Sequence, residues 1–558
     1  MKGLMSKKYI YTLFTSFILF TLTLFSSALP VLAYDPMIRP DPRVDRFVHR
    51  MYARYGVLPP GAFRQPMGTA GFLSYLDSLS ISMLPLTALE RHTLNGLRNQ
   101  LSYESGIYGF VDPENEYGFL INLDLTGEAR QSTGGGQDRR MGAQGTISPH
   151  LRGYAGKLSF YSTLDVWTEY SDIMFPPNSF QPYNGVPYTL HGARDEARDG
   201  AHMRASNLPR AGISYDVGER LTLQAALDYL RIGPAERYPV TLSGYAPPIT
   251  YARYMLNFTN IEYFHVVGIL RSQKDKPKYI YANGLRGALF DNRLQWGISE
   301  VMIGGSTTNQ QDDDPHNTKR PEYIGEEQGF EWAFAIPFVP MVFAEFYTGD
   351  KSNAALAFDF SLNLPQNFRF YGELYIDDLL SPWHFFSDDW GNKWAVTLGM
   401  QYFTNTRHRD VSAGLEWSRV EPWVYTHFYG GSHRYDHFNT CLGSPAGPNS
   451  MAITAYTDMS LFIAPRGTLG LKLTSLSNNP EARGGKITDI FQDPERSDNP
   501  DSEIKKFLGQ GSTHHLRPGI YLRYDPFGIF RLNVAVDIDI AKKDRGRTHL
   551  QVDGGFRF

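Results

Sequence analysis

The residues of this chain best suited to chemistry lie in one short stretch near its last quarter. Arg419, Glu421, Trp423, Tyr425, His427, Tyr429, His433, Arg434, Tyr435, Asp436, His437 and Asn439 mix aromatic faces with donors and acceptors of every kind. Aromatic rings stack on the apolar faces of sugars, while carboxylate, amide, guanidinium and imidazole groups bond to their hydroxyls. That combination points to carbohydrate binding. The competing reading is a packed loop whose polar groups satisfy one another. His427, His433 and His437 could also be metal ligands, but their loop spacing follows no zinc pattern. Asp312, Asp313 and Asp314 with His316 suggest either a calcium site or a solvated acidic loop tip.

A second cluster is Arg369, Glu373, Asp377 and Asp378. On an extended strand the first three share a face. A glycosidase would need two carboxylates held ~5–10 Å apart around a sugar; the alternative is a charged network lining a polar interior. Nothing else completes a catalytic set. No G-x-S-x-G element is present, and GQGS at 509–512 lacks the phosphate-loop pattern. The single cysteine, Cys441, excludes an internal disulfide and any Cys-based zinc site. No catalytic residue, metal or cofactor is therefore expected.

The elements that must position these residues are mostly strands. Phe119, Ile121, Leu123 and Leu125 alternate with polar neighbours, as do Leu356, Phe358, Phe360 and Leu362. Phe368, Phe370, Leu374 and Ile376 alternate with Arg369, Tyr371, Glu373, Tyr375 and Asp377. The chain ends in RTHLQVDGGFRF, a strand with Leu550, Val552, Phe556 and Phe558 on one face. Segments of ~10 residues with one greasy and one wet face match transmembrane β-strands. A mean hydropathy of −0.35 beside 34 Tyr, 36 Phe and 8 Trp fits one-sided strands and aromatic girdles.

Charge is balanced, with 54 Lys+Arg against 58 Asp+Glu, so nothing calls for a nucleic-acid partner. Residues 1–33 carry Lys2, Lys7 and Lys8, an apolar run, and Val31-Leu32-Ala33, the three-part layout of a cleaved export signal. Residues 34–112 read as a small helical module. Val44, Phe47, Val48 and Met51 form one helical face, and Phe72, Tyr75, Leu76 and Leu79 another. Thr87-Ala-Leu-Glu90 is a capping box ahead of Leu94, Leu97 and Leu101.

Turns orient the remainder, 113–558. Tight turns are expected at Asp216–Glu219, Asp291–Asn292, Pro365–Asn367, Pro465–Gly467 and Asp525–Gly528. Long polar excursions at 232–250, 304–328, 378–393, 421–451 and 476–515 fall between them. Counting back from Phe558 puts the tight turns on one side and the excursions on the other, the habit of bacterial outer-membrane barrels. The fold expected is an all-β transmembrane β-barrel of about 18 antiparallel strands with the helical module on the periplasmic side.

Two stretches carry a family resemblance. Asn367–Asp378, NFRFYGELYIDD, runs on through a Trp-rich segment to Gly391-Asn392-Lys393-Trp394; Leu415–Ser450 contains EWSRVEPWVYTH and LGSPAGPNS. They resemble the Wzi family of outer-membrane capsule-assembly proteins. The resemblance implies a wide monomeric barrel with loops occluding its lumen, a helical bundle on its periplasmic side, and lectin-like handling of surface polysaccharide without turnover. It also implies partners in the outer-membrane bilayer and that polysaccharide, while the terminal Phe558 resembles the signal read by the barrel-assembly machinery. The polysaccharide-binding residues are then expected among Arg419, Glu421, Trp423, Tyr425, His427, Tyr429, His433, Tyr435 and Asp436. The alternative is a general porin or a substrate-specific channel, and after it an outer-membrane hydrolase.

Overall fold

The computed structural model describes residues 42–558 apart from 102–105, 135–136, 172–193, 199–200, 272–276, 306–328, 349–351, 380–382, 407–408, 428–429, 462–466, 490–503, 525–529, 542–546, Glu219, Thr259, His384 and Asn439. The export signal, Asp312 to Asp314 with His316, Tyr429, and the turns at 465 and 525–528 lie outside the described residues.

Eighteen antiparallel strands close into a barrel. The strand Arg547–Arg557 completes it against Tyr117–Gly134, in a register that pairs Phe556 with Leu125 and Arg557 with Asp124. Alternation fixes the faces. Leu285 pairs with Ile298 and Ile298 with Phe358 across three strands, and all three stand exposed on the outside. Arg369, Tyr371, Glu373 and Tyr375 on Phe368–Asp378 point the other way and are buried. An apolar outside and a polar inside are what lipid on one side and a lumen on the other require. Phe556 and Phe558 are exposed at the closing seam, with Phe556 ring-to-ring with Phe530 at 5.6 Å.

Short connections cluster at the end where the chain terminates, the periplasmic end. At two of them Asp291, Asn292, Gln366 and Asn367 take positive φ, which short side chains able to bond their own backbone tolerate best. At the opposite, outer end the long connections 229–248 and 421–449 do not stand up into solvent, since much of each is buried, whereas 379–392 carries exposed residues.

Among the described residues three helices precede the barrel: Pro42–Tyr55, Thr69–Ile81 and Ala88–Leu101. Their apolar faces meet in one core of Val44, Phe47, Val48, Met51, Phe72, Leu76, Leu79, Leu94 and Leu97. The capping box forms reciprocally, Thr87 N–H to Glu90 at 2.8 Å and Glu90 N–H to Thr87 Oγ1 at 3.0 Å. Glu90 does more than cap. It also accepts from Arg50 at 2.7 Å, from Arg54, and from Tyr55 at 3.1 Å, tying the third helix to the first.

Burial pushes the Glu90 carboxyl up, but Arg50, the Thr87 amide and Arg54 outweigh it and hold its pKa below the usual glutamate range. A folded pKa below the unfolded one stabilises at pH above the unfolded value, ~4.3, and that contribution is lost as pH falls through the folded one. Glu90→Ala should therefore destabilise the module by about 3–5 kcal/mol at neutral pH, because Arg50 is left buried without its main counter-charge. Thermal melts of the two proteins should converge only once the pH has fallen below the lowered folded value. A variant melting like the parent at pH 7 would refute the clamp.

The first helix is not merely beneath the barrel. The Tyr52 hydroxyl bonds to the carbonyls of Arg293 (2.7 Å) and Ser361 (2.8 Å), and Asn363 Nδ2 donates back to Tyr52 O at 2.8 Å. Arg46 pairs with Asp458 at 2.8 Å, and Arg50 with Asp410 at 3.0 Å. Contacts to four separate parts of the wall seat this helix in the periplasmic mouth of the lumen.

Candidate functional site

The lumen is closed from above by 229–248. Glu416, buried on the wall, accepts N–H bonds from Glu236 (2.9 Å), Arg237 (3.0 Å) and Tyr238 (2.7 Å), and the Tyr371 hydroxyl at 2.7 Å. Three successive amides on one carboxylate make an anion nest, with the anion supplied by the wall. Glu373 holds either side of the same tip, taking Ala235 N–H at 2.8 Å and Val240 N–H at 2.9 Å. Arg369 donates to Pro234 O (2.8 Å), Gln401 Oε1 (2.6 Å) and Ser361 Oγ (2.9 Å). Gly233 has φ +113°, and a Cβ there would collide with the Glu373 carboxylate. Only glycine fits this approach.

From below, His49 Nδ1 lies 2.8 Å from Glu236, which also accepts from Gln401 (2.6 Å) and Tyr456 (2.7 Å). Arg231 pairs with Asp45 at 2.8 Å. Arg64–Gln65, Arg231–Ile232 and Leu242–Ser243 form a small antiparallel sheet, so the segment after the first helix and the outer loop share main-chain ladders inside the barrel. The two plugs are one structure.

The stretch 419–437 packs above this plug, and its residues do come together. Tyr425 and Tyr435 stack at 5.4 Å beside Tyr375. Their hydroxyls donate to Val240 O (2.7 Å) and Thr241 O (3.0 Å), carbonyls of the plug loop. Asp377 accepts Tyr425 N–H at 2.8 Å. Asp436 pairs with the buried Lys278 and with Arg434 at 3.1 Å. His437 takes Arg271 N–H on Nδ1 at 3.0 Å and donates from Nε2 to Pro248 O at 3.1 Å. The His433 ring stacks on His427 at 5.2 Å and lies 2.8 Å from Ser432 Oγ. Glu421 pairs with Arg419 at 2.6 Å and Lys505 at 2.9 Å. Trp423 N–H bonds to Gly484 O at 2.9 Å. Burial sends the His437 imidazole down to about 4, so it is neutral at physiological pH. Among the described residues no three His, Cys, Asp or Glu side chains converge as a metal would need.

Arg369 and Glu373 face the lumen, yet Glu373 is bonded to backbone amides rather than to a cation. Asp378 stands apart at the rim, 3.2 Å from Lys393. Both Glu373 oxygens being engaged leaves that carboxyl poorly placed for acid–base work on a sugar.

Sequence reasoning passed over the adjoining rim, 383–394 and 504–508. Trp383 and Phe386 are 90% and 83% exposed. Phe386 meets the Trp394 ring at 5.8 Å, and the Arg419 guanidinium lies 5.3 Å from Trp394 and 3.9 Å from Phe507. Trp390 and Lys393 form a second cation–ring contact at 5.3 Å. The density of aromatic residues in SPWHFFSDDWGNKW was the available signal.

A closed eighteen-strand barrel with an apolar outside, short turns at the end bearing its terminus and longer loops opposite is an outer-membrane β-barrel protein. In fold it is Wzi-like. It superposes on Wzi of Escherichia coli, described as an outer-membrane carbohydrate-binding β-barrel involved in group 1 capsule assembly, with a TM-score of 0.58 at 12% identity, covering 94% of this chain and 98% of that one. The vanillate-bound OpdK of Pseudomonas aeruginosa aligns at TM-score 0.41 and 8% identity over 78% of this chain and 99% of that one. OprD of the same organism aligns at 0.39 and 10% over 82% and 98%. No protein-family model and no curated protein matches the sequence.

Proposed function

We propose that this barrel binds surface polysaccharide at its outer rim without chemical turnover, and that it is not a conducting channel. The observation carrying this reading is the double plug: the helix Pro42–Tyr55 and the loop 229–248 meet inside the lumen and are bonded to each other and to the wall. A lumen so filled is a rigid support, and the outer loops are the part left for a ligand. The likeness to a carbohydrate-binding barrel supports the same reading.

The candidate residues divide by exposure. Tyr425, Tyr435, His433, Asp436 and Glu421 are buried and hold the loop in place. Arg419, His427, Trp383, Phe386 and Trp390 reach the surface and supply stacking faces and hydrogen-bond donors. Phe556 and Phe558, exposed at the periplasmic end, act during assembly rather than in binding.

The test is titration of the purified protein with the host's own capsular or extracellular polysaccharide, with conductance measured in planar bilayers. Binding with near silence is expected. Trp383→Ala with Phe386→Ala should weaken binding about tenfold, since two stacked rings contribute roughly 0.5–1.5 kcal/mol each. Strong conductance together with indifference to the polysaccharide would sink the proposal in favour of a porin.

A further inference from the structure

One segment of the outer connection between Leu294–Gly305 and Asn353–Leu364 lies on the wrong side of the wall for a plug. Residues 329–348 form two short helices, Trp332–Ala335 and Met341–Thr348, joined through Pro337 and Pro340. Phe334 and Met341 bury against Tyr281 and Met302. Those two wall residues pair with each other and take the outer face, the one opposite the lumen-side Ile280 and Val301. The hairpin is therefore packed on the outside of the barrel.

It also runs deep. The Phe338 ring stacks on Tyr263 at 4.4 Å, and Tyr263 is near the periplasmic start of the strand Ile261–Arg271. At ~3.3 Å per residue on a strand tilted ~45°, the tip sits about 18 Å below the outer end of that strand. The apolar band of such barrels is only ~25 Å tall.

Irregular backbone at that depth needs every donor and acceptor matched. The wall supplies the partners. Tyr263 OH accepts Phe338 N–H at 2.9 Å; Asn283 Nδ2 donates to Val339 O at 3.1 Å; Glu300 accepts Met341 N–H at 2.9 Å and Val342 N–H at 3.4 Å. Tyr281 OH accepts Glu331 N–H at 2.7 Å. Asn283 and Glu300 are a register pair on the outer face, beside the exposed pair Leu285 and Ile298. A carboxylate and an amide in a lipid-facing row have no other evident reason to be there. Pro337 and Pro340 remove two further donors from the tip.

The far side of the hairpin is apolar. Trp332, Phe338, Phe343 and Tyr347 are 65%, 62%, 69% and 96% exposed. From Trp332 to Ala344 the sequence carries no charge, and Glu345 is buried. The geometry points to a re-entrant hairpin embedded in the bilayer from its outer face, with hydrocarbon chains of the surrounding lipid as the partner of its exposed side. Continuity with the barrel's own lipid-facing band selects lipid over a second copy or another protein.

Spin labels on single cysteines at Phe338, Phe343 and Tyr347, in a Cys441→Ser background in liposomes, test this, with a label at the exposed Glu481 as the aqueous control. The expected result is oxygen collision exceeding that of a water-soluble nickel chelate, most at Phe338. Adding Glu300→Ala should raise nickel collision at Phe343. Nickel collision at Phe343 equal to that at Glu481 would place the hairpin in water. Low collision with both reagents would mean a protein covers it. Either overturns the inference. Should labelling disturb folding, the unlabelled full chain in brominated lipid should lose part of its tryptophan quenching on Trp332→Phe, and unchanged quenching would equally refute it.

Discussion

Replacing Glu373 and Glu416 together by alanine should turn a near-silent barrel into a conducting one. The two carboxylates accept five backbone amides and one hydroxyl, all on or beside the tip 235–240. The amides of the tip have these carboxylates as their partners, while Thr397 Oγ1 to Tyr238 O at 2.6 Å and Arg369 to Pro234 O at 2.8 Å hold its carbonyls. Removing one partner of a buried charged network costs ~3–5 kcal/mol, because the groups left behind lose their solvation without replacement. Here the bare amides regain hydrogen bonds only by leaving the wall for water. Two such losses shift a closed-to-open equilibrium by more than three decades at ~1.4 kcal/mol per decade. Single-channel steps in planar bilayers should appear with the double variant, and to a smaller extent with Glu416→Ala alone. Glu416→Gln is the stringent control: it keeps the shape and one acceptor oxygen, and should remain largely closed. A silent double variant that is properly folded would mean the lumen is held shut chiefly by the helix Pro42–Tyr55.

The barrel was legible because its cause is local. Period-two alternation in Phe368–Asp378 says which face meets lipid before any partner strand is known, and one residue of slip would invert it. Turn chemistry at Asp291–Asn292 and Pro365–Asn367 is local too, as is the Thr87–Glu90 capping box. What stayed hidden is the inward course of 229–248. Its anchors are Glu373 and Glu416, far along the chain, and a carboxylate destined for distant backbone amides is indistinguishable in sequence from one destined for a salt bridge. The same limit applies to 419–437. An aromatic residue that stacks on a sugar and one that packs on Tyr375 have the same type and spacing; only Tyr425 and Tyr435, bonded to the carbonyls of residues 240 and 241, reveal which they are. The hairpin 329–348 did leave a trace, a charge-free run holding two prolines inside an otherwise polar connection. In sequence that trace does not mark a membrane segment, because neither helix approaches the length of a membrane span.

Asp436→Ala should unseat the outer loop, and the way it is rescued will show what Asp436 does. Lys278 on the wall is wholly buried, and Asp436 supplies both its carboxylate partner and a carbonyl at 2.8 Å. Truncating Asp436 leaves an ammonium without its counter-charge, at a cost of about 3–5 kcal/mol. Thermal stability should fall, and polysaccharide binding with it, because the loop that backs the rim is no longer held. Replacing the pair, Lys278→Met with Asp436→Leu, removes both charges and keeps most of the volume, a change that is often neutral or stabilising in buried pairs. Because the buried Arg434 keeps its charge but loses its bond to Asp436, the double variant should recover most, not all, of the stability lost in Asp436→Ala. If Asp436 only positions the loop, binding returns with stability. If stability returns and binding does not, Asp436 touches the sugar itself, and the division of the candidate residues into buried supports and exposed contacts is wrong at that position.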